Sequence, residues 1–515
     1  MLQLQRLYYQ GGGDVSNYHS TAMTNHLEWF LKGPDKEEAA LERDHEIDDD
    51  DDPKTPQQQQ VQRLGTLSCA AYGGPSDQEA AEMIYWKDIP GDALHKSPFH
   101  HTARLGEQQQ AVPEQYVTFE PDVGGFNNIR MSFETVTALA FAMGRTLVLP
   151  PEDKMYLLNH GKSKNHRREF SFAHFYNLEA IHEEHVGVNI ITMQEFLERN
   201  IVKDPLSGKT IPPPHNRTNW NGHPQPIVKW LRKNARNVIW DTDECIAVFP
   251  ASTSEKDTEA LQLLNQSILS LTSKGRRIRW EDYVGHPVPV DAPPLDRLKE
   301  LWADRKRLCV YDTELQQAPV LHFPADESGQ GARLLVHFYA FLFHQNWNHD
   351  LWLKRFVRDH LYYRDEIQCA AARVVTALRR IAKQRGVFPP LPTLSATALA
   401  GMNQSSQLVP YDAFHIRRGD FQYSNTRISA NEILQRAKRL IPANATVYIA
   451  TDEKDKEFFK PLTQYFHVLF LSDFQHLLED VNVNYFGMID QLITSRSRIF
   501  LGCWFSTFTV SKQTF

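Results

Sequence analysis

The stretch Tyr411-Asp412-Ala413-Phe414-His415-Ile416-Arg417-Arg418-Gly419-Asp420 decides both how this chain folds and where it works. Its apolar half reads as a short strand. Its polar half sends His415, Arg417 and Arg418 out of a sheet edge, where Gly419 lets the backbone turn. Two guanidiniums and an imidazole are costly to crowd together unless an anion compensates them. A guanidinium fork matches phosphate oxygens bidentately and keeps its charge at any relevant pH. In open α/β sheets, ligands sit off the carboxyl ends of strands. The segment therefore reads as a phosphate or diphosphate clamp. The alternative is a solvated turn whose arginines pair with Asp412 or Asp420.

Working outward, Asp122-Val123-Gly124-Gly125-Phe126-Asn127-Asn128 precedes a helical pattern in which Met131, Val136, Leu139, Ala140 and Met143 recur on one face. Gly144 is a natural stop, and Arg145 leads into the apolar strand Thr146 to Leu149. Two glycines allow close approach to a ligand, and the helix start offers N–H donors to an anion. Near the other end, Asp490 to Ile493 opens a short helical pattern, and Ile499 to Cys503 is an apolar strand followed by Trp504-Phe505-Ser506-Thr507-Phe508. Hydroxyls and backbone N–H groups there suit a second phosphate contact, or equally an N-cap.

Together these segments resemble the GDP-fucose-dependent O-fucosyltransferase family, over roughly residues 115–515. The resemblance rests on Gly124-Gly125-Phe126-Asn127-Asn128, on His415-Ile416-Arg417, and on Asp490 with Ser506-Thr507-Phe508. Tyr448 to Glu453 resembles the strand and acidic turn between the last two. What it implies is an α/β chain of GT-B type, two Rossmann-like lobes facing a cleft. It also implies inverting, metal-independent transfer of fucose from GDP-fucose, the donor substrate, with no cofactor. On that basis Arg417 holds the β-phosphate and stabilises departing GDP, with Asn127 and Asn128 lining the cleft floor near the sugar. Asp490 accepts from the guanine edge with His415 nearby. Gly124, Gly125, Phe126, Ser506, Thr507 and Phe508 complete the donor site. One departure stands out: some members carry a glutamate base where this chain has Gly124, so the base is unassigned.

Other motifs are set aside. The aspartates 48–52 lie in a Gln- and Pro-flanked acidic stretch that reads as a solvated tract and not as a metal-holding Asp-x-Asp. His182-Glu183-Glu184-His185 has the wrong spacing for a zinc motif and reads as a surface helix. Gly161-Lys162-Ser163 lacks the first glycine of a P-loop, and the basic run 162–168 reads as a loop. With 515 residues, 41% hydrophobic, the chain can bury a large core, and a net charge of −7 argues against a nucleic-acid partner.

The expected organisation is a low-complexity stem or tail over 1–112, then an N-terminal lobe over 113–388. A linker spans 389–410, and the nucleotide-sugar lobe spans 411–515. Strands are expected at Val188 to Thr192 and Asn237 to Trp240, with loops at Ile211 to Pro214 and His286 to Pro294. A helical block is expected over Ala332 to Phe343, Leu351 to His360 and Asp365 to Arg385, either joining the lobes or capping the first. Five scattered cysteines make no recognisable zinc site and leave disulfides open without fixing their connectivity.

The resemblance places the protein in the ER or Golgi lumen. Asn216, Asn265, Asn403 and Asn444 begin sequons, but no signal peptide or membrane segment is visible. Three functions stay open. The first is fucosyl transfer to a protein or glycan acceptor, the second transfer from another nucleotide sugar, and the third a non-catalytic nucleotide- or sugar-binding relative.

Overall fold

The computed structural model describes residues 66–85, 91–100, 113–122, 124–155, 158, 169–199, 224–241, 244–273, 289, 291–301, 305–325, 341–387, 411–419, 427–503, 506 and 508. Its twelve named strands pair in parallel throughout. A five-stranded sheet has the order β3-β2-β1-β7-β4, from β1 (Tyr116–Phe119), β2 (Thr146–Leu149), β3 (Ile190–Thr192), β4 (Arg236–Asn237) and β7 (Val320–Phe323). Beside it in sequence, β5 (Cys245–Phe249) lies between β6 (Arg307–Val310) and β8 (Leu342–His344). The third sheet, ordered β11-β10-β9-β12, is built from β9 (Asp412–Ile416), β10 (Thr446–Thr451), β11 (His467–Phe470) and β12 (Phe500–Gly502). Parallel strands covered on both faces need continuous apolar runs. Cys245 to Phe249 and Asp412 to Ile416 are buried along their whole length.

Helix α1 (Phe126–Ala142) follows the Gly-Gly turn and is buried from Ile129 onward. Gly144 ends it at φ +64, and a Cβ there would meet the His100 backbone nitrogen at 2.2 Å, so the position requires glycine. Two long helices follow. In α2 (Trp347–His360), Trp352 stacks on Phe141 of α1 at 3.7 Å, which fixes α2 to the first lobe. The buried face of α3 (Asp365–Arg385), carrying Ile367, Ala371, Val374, Val375 and Leu378, packs instead on α4 (Phe486–Ser495) and β10. Consecutive helices therefore pack against different sheets.

Several expectations are corrected. The aspartate run and residues 1–65 lie outside the described residues, but 66–85 and 91–100 are packed structure, not a low-complexity tail. Cys69 is fully buried in a disulfide with Cys369 of α3, Glu82 pairs with Arg379, and Phe99 lies edge-on to Tyr311 at 5.1 Å. A bridge spanning 300 residues leaves no local signal. A second disulfide, Cys245–Cys309, ties β5 to β6, and the buried Cys503 belongs to neither bridge.

Leu342 to His344 is a strand, not the end of a helix, because an apolar run buried on every side carries no period; 332–340 lie outside the described residues. The ladder expected over Asn237 to Trp240 is limited to Arg236–Asn237. His185, expected on a surface helix, is 1% exposed with its ring 4.2 Å from that of His360. The P-loop-like segment and the basic run lie outside the described residues.

Candidate functional site

Because β9 is flanked by β10 and β12 in parallel, the chain segments leaving all three strands emerge at one edge. His415 stands level with Ala450 and Gly502. After β9 come Arg417, Arg418 and Gly419; after β10 comes Asp452. The Asp452 carboxylate accepts from the backbone N–H groups of Arg418 (2.7 Å) and Gly419 (3.0 Å), and lies 3.2 Å from Arg417 Nε. A Cβ on Gly419 would fall 2.7 Å from Asp452 Oδ2, so the close approach requires glycine. Asp452 thus pairs with the Arg417 guanidinium, a quarter of whose side chain stays accessible.

Arg418 turns elsewhere. Its Nε donates to Glu453 (2.9 Å), and its guanidinium lies 4.0 Å from the centre of the Phe458 ring. The partners expected of a solvated turn are also corrected. Asp412 is buried in a pair with Arg498 (2.8 Å), and Asp420 lies outside the described residues.

His415 is buried and stacks on Phe508, centroids 4.1 Å apart. Burial first, and then the Arg417 charge, push its pKa down to about 3, so the ring is neutral at physiological pH. Ser506 is buried at the same turn; Thr507 lies outside the described residues.

Asp490, on α4, accepts a hydrogen bond from the Tyr448 phenol of β10. Loss of hydration raises its carboxyl to about 7, with the phenol hydrogen bond pulling the other way.

In the first lobe, the Gly124 N–H donates to Asp122 Oδ1 (2.5 Å), which folds the loop before Gly125 caps α1. A Cβ on Gly124 would lie 2.7 Å from the Asn128 side-chain nitrogen and 2.9 Å from Asp122 Oδ1. A glutamate does not fit there without displacing both. Phe126 turns its ring edge-on to Phe175 (4.9 Å). Asn127 is joined across the lobes: its side-chain oxygen accepts from the Gln491 amide.

A cavity of about 380 Å³ lies nearby, walled by Phe170 and His174 on one side and by Glu366, Asn482 and Tyr485 on the other. None of the expected site residues lines it, so it is not the clamp. It adjoins the glycine loop through Phe175, whose ring contacts both Phe126 and, at 6.1 Å, Tyr485. Among the described residues no three His, Cys, Asp or Glu side chains converge as a metal-binding group.

The family model for GDP-fucose protein O-fucosyltransferase matches residues 116–513. The chain belongs to that family. It is accordingly a GDP-fucose-dependent glycosyltransferase, a mixed α/β chain of parallel sheets. Nothing among curated proteins matches. Among solved structures, POFUT1 in complex with GDP-fucose is 15% identical, covering 79% of this chain and 94% of that one, at a TM-score of 0.30. NodZ α-1,6-fucosyltransferase co-crystallised with GDP is 13% identical over 78% and 92%, at 0.33. NodZ from Bradyrhizobium is 13% identical over 78% and 93%, at 0.32.

Sequence reasoning missed how far Arg417 depends on Asp452. The signal was present in Thr451-Asp452-Glu453, an acidic turn after a strand that pairs with the His-Ile-Arg strand. It also missed Gln491 and Tyr448, two ordinary core-like residues in sequence.

Proposed function

We propose that the chain transfers fucose from GDP-fucose to a hydroxyl of a protein or glycan acceptor, with inversion at the anomeric carbon and without a metal ion. The observation that carries this is the Arg417–Asp452 arrangement at the common edge of β9, β10 and β12. When the glycosidic bond breaks, negative charge moves onto the β-phosphate while the sugar becomes cationic. A cation held in place beforehand stabilises the transition state more than the ground state. Arg417 fills that role without the cation that metal-dependent transferases recruit. Chelator should therefore leave turnover unchanged.

His415 is neutral and stacked, so it serves as a contact for the nucleotide and not as an acid or base. The Asp490 carboxylate would accept from guanine N1–H and the exocyclic amine. Asn127 and Asn128 would face the sugar, and Gly124, Gly125, Phe126, Ser506, Thr507 and Phe508 would shape the donor site. With glycine at 124 and Asp122 engaged in holding the loop, no strong base faces the acceptor from this loop. The acceptor proton would then leave late, as the carbon–oxygen bond to the acceptor forms and the bond to the β-phosphate breaks, passing to water or to an oxygen of the departing GDP. Two disulfides suit the oxidising lumen of the ER or Golgi, and no described helix is long and apolar enough to cross a membrane.

Calorimetry with GDP, GDP-fucose, GDP-mannose and UDP tests the reading. Tight GDP and GDP-fucose binding with weak UDP binding supports it. Equal GDP and UDP binding removes both the donor assignment and the role of Asp490. Binding without any turnover favours a non-catalytic relative.

A further inference from the structure

We infer that Gln491 is a positioning residue, which holds Asn127 of the glycine loop in a fixed orientation through a hydrogen-bond relay crossing the two lobes. The inference rests on the fucosyltransferase reading of the cleft. Gln491 is 2% exposed on α4, and its side-chain nitrogen donates to the side-chain oxygen of Asn127 at the start of α1. Its own oxygen accepts from the Tyr363 hydroxyl at 2.9 Å. Tyr363, 1% exposed, sits in the joint between α2 and α3, with its ring 5.3 Å from that of Tyr176. The Tyr176 hydroxyl reaches Glu134 at 3.4 Å, and Glu134 is paired with Arg130 at 2.5 Å. Through the Tyr363–Tyr176 ring contact the relay therefore abuts the buried Arg130–Glu134 pair of the first lobe, while Gln491 itself belongs to α4.

Two consequences follow from the chemistry. Taking the Asn127 oxygen leaves that amide's NH₂ edge for the ligand side, so Asn127 is set as a donor toward fucose or acceptor oxygens. Gln491 also directly follows Asp490, and successive helical residues point about 100° apart. One turn of α4 thus turns a carboxylate to the sheet and an amide to the opposite lobe. This couples the placement of the sugar-facing loop to the placement of the nucleotide. Misplacing a reacting group by about 1 Å can cost roughly 100-fold in rate, so a buried relay of this kind acts on turnover without touching the donor.

The test uses the full chain. Gln491→Met keeps the volume and removes both hydrogen bonds. The expected result is a kcat lower by roughly 10- to 100-fold, with GDP affinity by calorimetry changed less than about threefold, because Arg417 and Asp490 are intact. Tyr363→Phe, which removes a single hydroxyl remote from the ligand, should lower kcat several-fold with GDP affinity again preserved. Combining Gln491→Met with Asn127→Ala should lower kcat no further than Asn127→Ala alone, since the first acts through the second. A merely structural role would lower the melting temperature and leave kcat per GDP-binding molecule unchanged, which would overturn the inference, as would losses that multiply in the double variant. The pairing is also read without substrate, by a double-variant cycle on thermal unfolding; additivity there overturns the pairing alone. No GDP-fucose turnover in the wild-type chain overturns the functional reading and the positioning role with it.

Discussion

Two arginine–carboxylate pairs in this chain have opposite settings, and the contrast separates what holds the protein together from what it works with. Arg130 and Glu134, one turn apart on α1, lie 2.5 Å apart and are almost wholly buried. Burial raises the Glu134 carboxyl, although Arg130 and the Tyr176 hydroxyl pull it down. This pair must match its surroundings because water cannot replace a lost partner. Arg417 and Asp452 follow different strands, lie 3.2 Å apart, and each keep a quarter of their side chain accessible. Water can replace either partner there, so the pair adds little to stability. A part-accessible guanidinium at a sheet edge can still meet an arriving anion.

The comparison is broken most forcefully in the buried pair. Arg130→Ala leaves Glu134 buried without its cation and should destabilise the fold by about 3–5 kcal/mol, read by chemical denaturation. Replacing both residues with apolar side chains of similar volume should recover much of that loss. If Arg130→Ala unfolds at the wild-type midpoint, the pair is not the anchor its burial implies.

At the part-accessible pair the pattern should invert. Arg417→Ala should lower fucosyl transfer by on the order of 100-fold or more with thermal unfolding unchanged. Arg417→Lys should fail similarly, because a point ammonium cannot reproduce the planar fork. Asp452→Asn should give a smaller loss in turnover, since it frees the guanidinium plane without removing the charge. Near-wild-type turnover by Arg417→Lys would show that the residue plays some other part.

These two regions also differ in how much of them could be read from sequence. The strand and turn that carry the proposed clamp were legible because they are contiguous: a strand, a histidine, two arginines and a glycine within one decapeptide. The helix and strand from Phe126 to Leu149 were legible because period and stop signal agree. The buried polar groups were not. Arg130 and Glu134 look like an ordinary surface i,i+4 pair, and only the packing of Phe133 on Phe172 and Tyr176 shows them to be inside. Arg145 reads as a charged leader to a strand, yet it is buried and donates to the Tyr311 hydroxyl and to the carbonyls of Leu315 and Ala318. Long-range partners decide such residues, and sequence spacing carries no trace of them. The same holds for Cys69 and Gln491.

Acidification should act mainly on the first lobe. Burial holds His185 at about 3, and burial together with His349 holds His95 at about 4. Each is neutral in the fold and titrates near 6.5 when unfolded, so the unfolded chain binds more protons below that pH. Stability should therefore fall as pH drops from about 6.5 toward 4, by up to about 1.4 kcal/mol per pH unit for each such group. Asp490 opposes this with the same slope as one of the rings, because its raised carboxyl favours the fold as pH falls below about 7, so the net fall is about that of a single histidine. Melting temperatures that are flat between pH 6.5 and 4.5 would show that these rings are hydrated in the fold.

The smallest effect concerns a carboxylate of a third kind: among the described residues Asp490 is held by a phenol and by no cation. At about 7 its carboxyl is only half ionised at neutral pH. Guanine offers two N–H donors, so the ionised form is the one that binds. GDP affinity should then rise with pH through about 7 and level off above it, falling by up to roughly tenfold per unit on the acid side. UDP, which lacks that pair of donors, should show no such slope. Asp490→Asn should abolish the slope and narrow the preference for GDP over UDP, while shifting thermal stability little. A GDP affinity constant from pH 5.5 to 8.5 in the wild-type chain would remove Asp490 from the base-reading role and leave the arginine edge as the part of the donor site that discriminates by charge alone.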